Sequence, residues 1–347
     1  MINLCTLFDS NYLSRGLALY NSLQQVSAVF QLYVVAFDTK CYDYLKKADL
    51  PNLTVISLSD FEDEALLKIK PNRSAAEYCW TSTPSVILYC LKKYNLSSCT
   101  YVDADMIFYQ DPKILLDEMG SDSILICEHR YTKDYDVSDT HGIYCVQFMC
   151  FKNNEDGLTA LKWWRERCLE WCYARLEDGK FGDQKYLDDW PKRFAGVHVL
   201  QHLGGGVAPW NVQQYEFYNN KEKIYLRNKI KKREFPVVFY HFHGLKFYTN
   251  EYVSFCGPVY ELSKTTKEIF YVPYVKSLLK IEEELKQQAV SFNVTGAKSI
   301  TPTKGKVFIE FLRDFGSMIL HGKASPFRPR NYNFRMHYHF YKLDCFK

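Results

Sequence analysis

The 347-residue chain has no run of about 18 apolar residues, so no transmembrane helix is expected. Its twelve cysteines include no Cys-x-x-Cys pair, and Cys90, Cys127, Cys168 and Cys172 sit inside apolar patterns. That spacing excludes a zinc-knuckle reading and argues against a disulfide framework; reduced, mostly buried thiols are expected instead. The N-terminal stretch Met1 to Asp9 has no basic segment and no cleavage site, so no signal peptide is read and a cytoplasmic location is expected. The Asn-x-Ser/Thr matches at Asn52, Asn95 and Asn293 then carry no weight. There is no Lys-Ser/Thr of a phosphate-binding P-loop and no dinucleotide fingerprint around Gly204-Gly205-Gly206. No helix-turn-helix, zinc or RNA-binding pattern is present, so no nucleic-acid partner is expected. No internal repeat is visible.

Hydrophobic residues at 47% and charged residues at 24% are those of a globular chain. Aromatics at 16%, with Tyr 27 and Phe 24, suit stacking on rings and equally suit a rich core. The net charge of +4 is unevenly placed. From His321 onward Lys323, Arg328, Arg330, Arg335, Lys342 and Lys347 face only Asp344, a balance of +5, which leaves −1 for the rest. Attraction to a polyanion or an anionic membrane is therefore expected in the tail. There Phe327, Tyr332, Phe334, Tyr338, Phe340, Tyr341 and Phe346 interleave with the cations. Such a segment lies on an anionic leaflet, or packs its rings on its own domain.

The pattern predicts strands at Ile2–Leu7, Phe30–Ala36, Leu53–Leu58 and Thr100–Val102. Helices are predicted at Asn11–Leu23, Asp38–Lys47 and Thr83–Tyr94. This alternation indicates βαβ units and a mostly parallel sheet, whose ligands bind beyond the carboxyl ends of the strands. Further on, strands are expected at Ser123–Cys127, Cys145–Phe151 and Val237–His241. Helices are expected at Asp156–Leu176, from Gly182 to Trp190, and over Thr265–Gln288. Residues 204–206 read as a flexible loop.

Four segments could carry chemistry. Asp103-Ala104-Asp105 follows a strand, and carboxylates two apart in extended chain point the same way, toward one cation. A helix cap or solvated turn is the plain alternative, and Asp134-Tyr135-Asp136 supplies an internal control. His241, at the end of an apolar strand, could complete an Asp/Asp/His site, with Gly244 and Lys246 close behind it to approach a phosphate. A structural histidine is the plain alternative. Gly182-Asp183-Gln184 could place a carboxylate and a carboxamide at a pocket wall, or cap a helix. The triple glycine could close over a site or simply connect.

In this order the pieces resemble nucleotide-sugar glycosyltransferases of the GT-A fold, and most of all glycosyltransferase family 8, over Ile2 to Tyr248. The carrying residues are Thr6 to Tyr12 with Gly16 and Leu17, Tyr101 to Asp105 with Gln110-Asp111-Pro112, Gly182-Asp183-Gln184, and His241-Phe242-x-Gly244-x-Lys246. The resemblance implies an α/β, Rossmann-like domain at 1–262, a helical C-terminal extension at 263–320 and the basic aromatic tail at 321–347. It implies Mn²⁺ or Mg²⁺ held by Asp103, Asp105 and His241. Thr6, Phe8, Asp9 and Tyr12 would line the base and ribose pocket, and Gly244 and Lys246 would meet the diphosphate. Asp183 would face the anomeric centre with Gln184 beside it. The implied activity is hexose transfer from a UDP-sugar, with retention, to a saccharide or lipid-linked acceptor in cell-surface polysaccharide or lipopolysaccharide synthesis. Three departures stand out. Cys145-Val146-Gln147 replaces the family's Asn-Ser-Gly, Trp80 to Ser85 lacks its phosphate-binding base, and Phe247-Tyr248 replaces its Pro-Trp. The first departure opens a second reading, a sugar-nucleotide-binding or scaffold protein without turnover on the same fold.

Overall fold

The computed structural model describes residues 1–27, 29–221, 223–299 and 339–347. Its strands are β1 (Ile2–Phe8), β2 (Phe30–Ala36), β3 (Leu53–Ile56), β4 (Ser98–Val102), β5 (Met106–Phe108), β6 (Ile124–Glu128), β7 (Tyr144–Lys152) and β8 (Val197–Val199). There follow β9 (Tyr215–Asn220), β10 (Lys223–Asn228), β11 (Glu234–Pro236), β12 (Phe239–His241), β13 (Lys246–Tyr248), β14 (Tyr252–Ser254) and β15 (Phe340–Lys342). The first four strands and β6 to β8 form one sheet in the order β3-β2-β1-β4-β7-β6-β8. Only β7 runs against its neighbours, so the sheet is mostly parallel, as expected.

Both faces of this sheet are covered, which is why its strands read as unbroken apolar runs. The period of two still sorts the side chains. On β1, Leu4 and Phe8 join one core layer, and Cys5 and Leu7 join the other. The first layer packs under the helices Leu13–Val26 and Val272–Gln287, the second under Ala75–Lys93 and Glu155–Glu170. Tyr274 and Leu278 of the Val272–Gln287 helix share one core with Leu13 and Leu17. Gly16 permits this packing beside the end of β1: a Cβ there would lie 2.2 Å from the Phe8 ring.

Several predicted boundaries move. The Thr83–Tyr94 helix begins at Ala75, because Ser74 and Glu77 form a reciprocal capping box, and Pro84 lies inside the helix rather than at its start. The helix predicted to reach Leu176 stops at Glu170, where Trp171 turns extended. Gly182 to Trp190 holds only a 3-10 turn at Lys185–Leu187, and the short helix Trp190–Arg193 starts where that stretch ends. The strand predicted to reach Leu58 ends at Ile56, since Ser57 caps a short helix beginning at Leu58.

All twelve cysteines are free and ten are buried. Among the described residues no helix is long and apolar enough to cross a membrane. Of the aromatic tail, Phe327, Tyr332, Phe334 and Tyr338 lie outside the described residues. The last residues pack on the body: β15 pairs antiparallel with β14, Phe340 and Phe346 are buried, and Tyr341 lies against Phe255 at 4.7 Å between centroids.

Candidate functional site

A cavity of about 720 Å³ opens at the carboxyl ends of β1, β4 and β6. Strand β4 ends at Val102, so Asp103 and Asp105 project at the sheet edge with Ala104 buried between them. The third partner comes from afar. Strand β5 pairs antiparallel with β12, which sets His241 opposite Met106, and Phe242 N–H donates to the Asp105 carbonyl at 2.9 Å. His241 Nε2 lies 3.1 Å from Asp105 Oδ1 and 3.7 Å from Asp103 Oδ2. One ligand atom from each residue falls within 4.8 Å of the other two.

The imidazole is held from behind. Its Nδ1–H donates to Gln147 Oε1 at 2.8 Å, which aims Nε2 at the carboxylates. Gln147 reaches this position through an irregularity in β7. Leu125 pairs with Cys150 while Cys127 pairs with Cys145, so β7 carries extra residues just at Gln147. The sequence shows Gln147 only as a departure from the family pattern; its role depends on that bulge and on a residue 94 positions away.

Charge is concentrated and asymmetric here. Burial opposes ionisation of Asp105, but the charge and hydrogen bond of His241 prevail and hold its carboxyl at about 2. Burial raises Asp103, against the pull of His241. Burial alone would lower His241, and the two carboxylates raise it. Asp183 is 5% exposed on the same wall, and burial followed by the charge of Asp103 pushes it up to about 8.

Another end of the cavity is built on the turn after β1. Asp9 accepts from Tyr12 N–H at 3.2 Å and fixes that turn. Tyr12 is 39% exposed, its ring backed by the Arg15 guanidinium at 4.4 Å. Arg15 is itself buried and donates to the carbonyls of Thr295 and Leu245, at 2.8 and 3.1 Å. This buried charge ties three distant segments together, and sequence reasoning did not single it out. Its one signal was a cation inside an apolar helical stretch.

Of the predicted site residues, Phe8, Asp9, Tyr12, Asp103, Asp105, Asp183, Gln184 and His241 line one cavity. Gln184 spends its amide group on the His141 carbonyl at 2.7 Å. Thr6 is fully buried on β1, and Thr6, Gly244 and Lys246 are not among the lining residues. Lys246 is exposed and begins β13. Arg73 packs on Tyr173 at 4.0 Å and donates to Leu169, away from the cavity lining. The triple glycine is not a flap. All three residues are buried, and a Cβ on Gly204 would meet the Pro236 carbonyl at 1.9 Å. They are glycines because the chain is pressed against its neighbours there.

No protein-family model matches the chain. Two proteins of Bacillus subtilis (strain 168) are similar along most of it. YfnD is 28% identical over 291 residues, 83% of this chain and 92% of its own length. YfnF is 29% identical over 303 residues, 85% of this chain and 97% of its own length. Both are described as uncharacterized. Among solved structures, the galactosyltransferase LgtC in complex with donor and acceptor sugar analogs is 13% identical, with 83% of this chain and all of that one covered, at a TM-score of 0.47. Mouse xyloside xylosyltransferase 1 is 11% identical, with 57% of this chain and 84% of that one covered, at 0.39. The glycosyltransferase GlyE of Streptococcus pneumoniae TIGR4 is 14% identical, with 58% and 46% covered, at 0.38. Likeness at this level bears on fold alone, so the functional reading rests on the cavity itself.

Proposed function

We propose that the chain is a metal-dependent GT-A glycosyltransferase that moves a hexose from a nucleotide-diphosphate sugar, a UDP-sugar, to a saccharide or lipid-linked acceptor with retention. The observation that carries this reading is the convergence of Asp103, Asp105 and His241 in one cavity with the exposed Tyr12 ring and the buried Asp183. Two carboxylates and an imidazole are a donor set suited to Mn²⁺ or Mg²⁺, and all three side chains face the cavity.

When bound there, a divalent ion would supply Lewis-acid stabilisation of a leaving diphosphate. The protein's own groups do the rest. Tyr12, held by the Arg15 guanidinium, offers a flat face for a base, and Asp9 fixes the turn that presents it. Phe8 closes the floor of that pocket. Lys246, with Gly244 before it, contributes positive charge from the loop that Arg15 anchors through Leu245. Asp183 meets the anomeric centre and, once ionised, stabilises the positive charge that develops on the sugar. Gln184 keeps its side-chain oxygen for a sugar hydroxyl, since its nitrogen is committed to His141.

The same reading places the enzyme in the cytoplasm in cell-surface polysaccharide or lipopolysaccharide synthesis. It assigns 1–262 to transfer, 263–320 to a helical extension, and 321–347 to an anionic membrane surface. Screening UDP-sugars and other nucleotide sugars for Mn²⁺-dependent hydrolysis tests the activity. Turnover of at least one donor that excess chelator abolishes is expected. Full turnover in chelator removes the metal claim, and tight UDP binding with no turnover of any donor favours the binding-protein reading. Sedimentation with anionic vesicles, comparing the full chain with one ending near Leu320, tests the tail; equal pelleting removes the membrane assignment.

A further inference from the structure

The cavity has a wall that the donor reading leaves unused. Tyr131, Cys145, Ala208, Trp210 and Tyr260 form a small apolar cluster, joined to the first core layer through Tyr260. Tyr131, Trp210 and Tyr260 from this cluster line the cavity, and Tyr131 and Tyr260 are only partly buried. Each ring is held by a neighbour. Tyr131 stacks on buried His129 at 4.6 Å and 11°. Trp210 Nε1–H donates to the His129 carbonyl at 2.9 Å. Tyr260 meets the edge of Tyr135 at 5.3 Å, and the Tyr135 hydroxyl accepts from Glu261 N–H at 3.0 Å.

Sheet order places this wall relative to the rest. Strands β1, β4 and β6 run parallel, and along their carboxyl edge the order is β1, β4, β7, β6. Tyr12 follows β1, the Asp103/Asp105 pair follows β4, and His129 to Tyr131 follow β6. The acidic pair therefore lies between the base ring and the aromatic wall. Trp210 stands perpendicular to the His241 ring at 5.5 Å, so the wall begins beside the triad.

We propose that Tyr131, Trp210 and Tyr260 form the acceptor subsite and take a pyranose ring by its apolar C–H face. Tyr131 and Tyr260 are partly solvated rings in a recess, backed by the buried Trp210, and gain by being covered with a flat apolar surface. Asp134, His141 and His243 line the same cavity and offer partners for hydroxyl groups, which a sugar has and an alkyl chain lacks. This assignment rests on the glycosyltransferase reading above, and its test separates the two.

The measurement is saturation-transfer NMR on the full chain with UDP and Mn²⁺. The probes are methyl α- and β-D-gluco-, galacto- and mannopyranosides, with n-octyl β-D-glucopyranoside as the apolar contrast. Saturation of ring C–H protons is expected for at least one methyl pyranoside. Tyr131→Ala and Tyr260→Ala should each weaken that binding about 2- to 10-fold, the range for one aromatic contact, while Tyr260→Phe keeps it. Titration of UDP with Mn²⁺ into each variant reports the donor half and the integrity of the fold. A wild-type chain that binds no UDP contradicts the donor reading and leaves the pyranoside signal to be judged by itself. Three results overturn the acceptor subsite: no ring saturation with any methyl pyranoside, unchanged saturation in both alanine variants, or saturation confined to the octyl chain.

Discussion

Two Asp-x-Asp triplets occur in this chain, and the fold treats them differently. Asp103-Ala104-Asp105 leaves a buried strand, sits over the sheet edge, and meets His241 from a strand that pairs with its own downstream residues. Asp134-Tyr135-Asp136 lies on the connection between β6 and β7. Its Asp134 is exposed, and Asp136 accepts from Ser138 N–H at 2.9 Å, as a turn residue does. Among the described residues the groups placed to hold a cation include the first pair and not the second. A spacing of two carboxylates is thus only an offer; strand-end placement and an imidazole brought by topology make it a candidate cation site.

The largest effect that could break this contrast is on turnover. Asp105→Ala should lower metal-dependent donor turnover by about 10²–10³-fold or more, the scale of losing an electrostatic stabiliser of the transition state. The Asp134→Ala/Asp136→Ala double variant should leave Mn²⁺ affinity within about twofold, because screening and solvent leave an exposed carboxylate little to contribute. Equal loss of Mn²⁺ binding in both variants would erase the distinction. Next is the support behind the first pair. Gln147→Leu should weaken Mn²⁺ binding about 10- to 100-fold by freeing the His241 ring, measured by titration, with the fold retained.

A smaller effect concerns stability. Asp183 titrates at about 8 in the folded chain against an ordinary value of 3.8, so the folded state holds a proton that the unfolded state releases. The contribution of this group therefore falls as pH rises from about 4 to about 8 and then levels off. Asp183→Asn removes that dependence. In metal-free protein at pH 7 it should raise the melting temperature by roughly 2–4 °C or more, while transfer is lost. A variant that melts lower than wild type at pH 7, with the same pH slope, contradicts the buried-acid account. The smallest effect is expected at Asp136→Ala, about 1 kcal/mol or less from a lost turn hydrogen bond, read as a slightly lower melting temperature.

The parts legible in sequence are those set by local pattern. Strands β1, β2 and β4 and the helix after β1 follow from apolar periodicity, and the strand-end position of Asp103 follows from them. The anchors at Asp9, Tyr12, Asp183 and His241 were legible as an ordered set. What was hidden depends on long-range placement. Arg15 acts through carbonyls 230 and 280 positions away. Gln147 depends on a bulge that only strand pairing reveals. The glycines at 204–206 read as a mobile loop because glycine permits freedom, yet here it permits close packing. The capping box of Ser74 and Glu77 was passed over in the sequence, so the helix start at Ala75 went unseen.

The central claim is that Asp103, Asp105 and His241 hold one divalent ion beside a nucleotide. Electron paramagnetic resonance of free Mn²⁺, titrated into the chain with and without UDP, tests it most directly. The account predicts one bound ion per chain, tighter with UDP and lost in Asp105→Ala. Binding that is unchanged in Asp105→Ala, or no binding with UDP present, would contradict it.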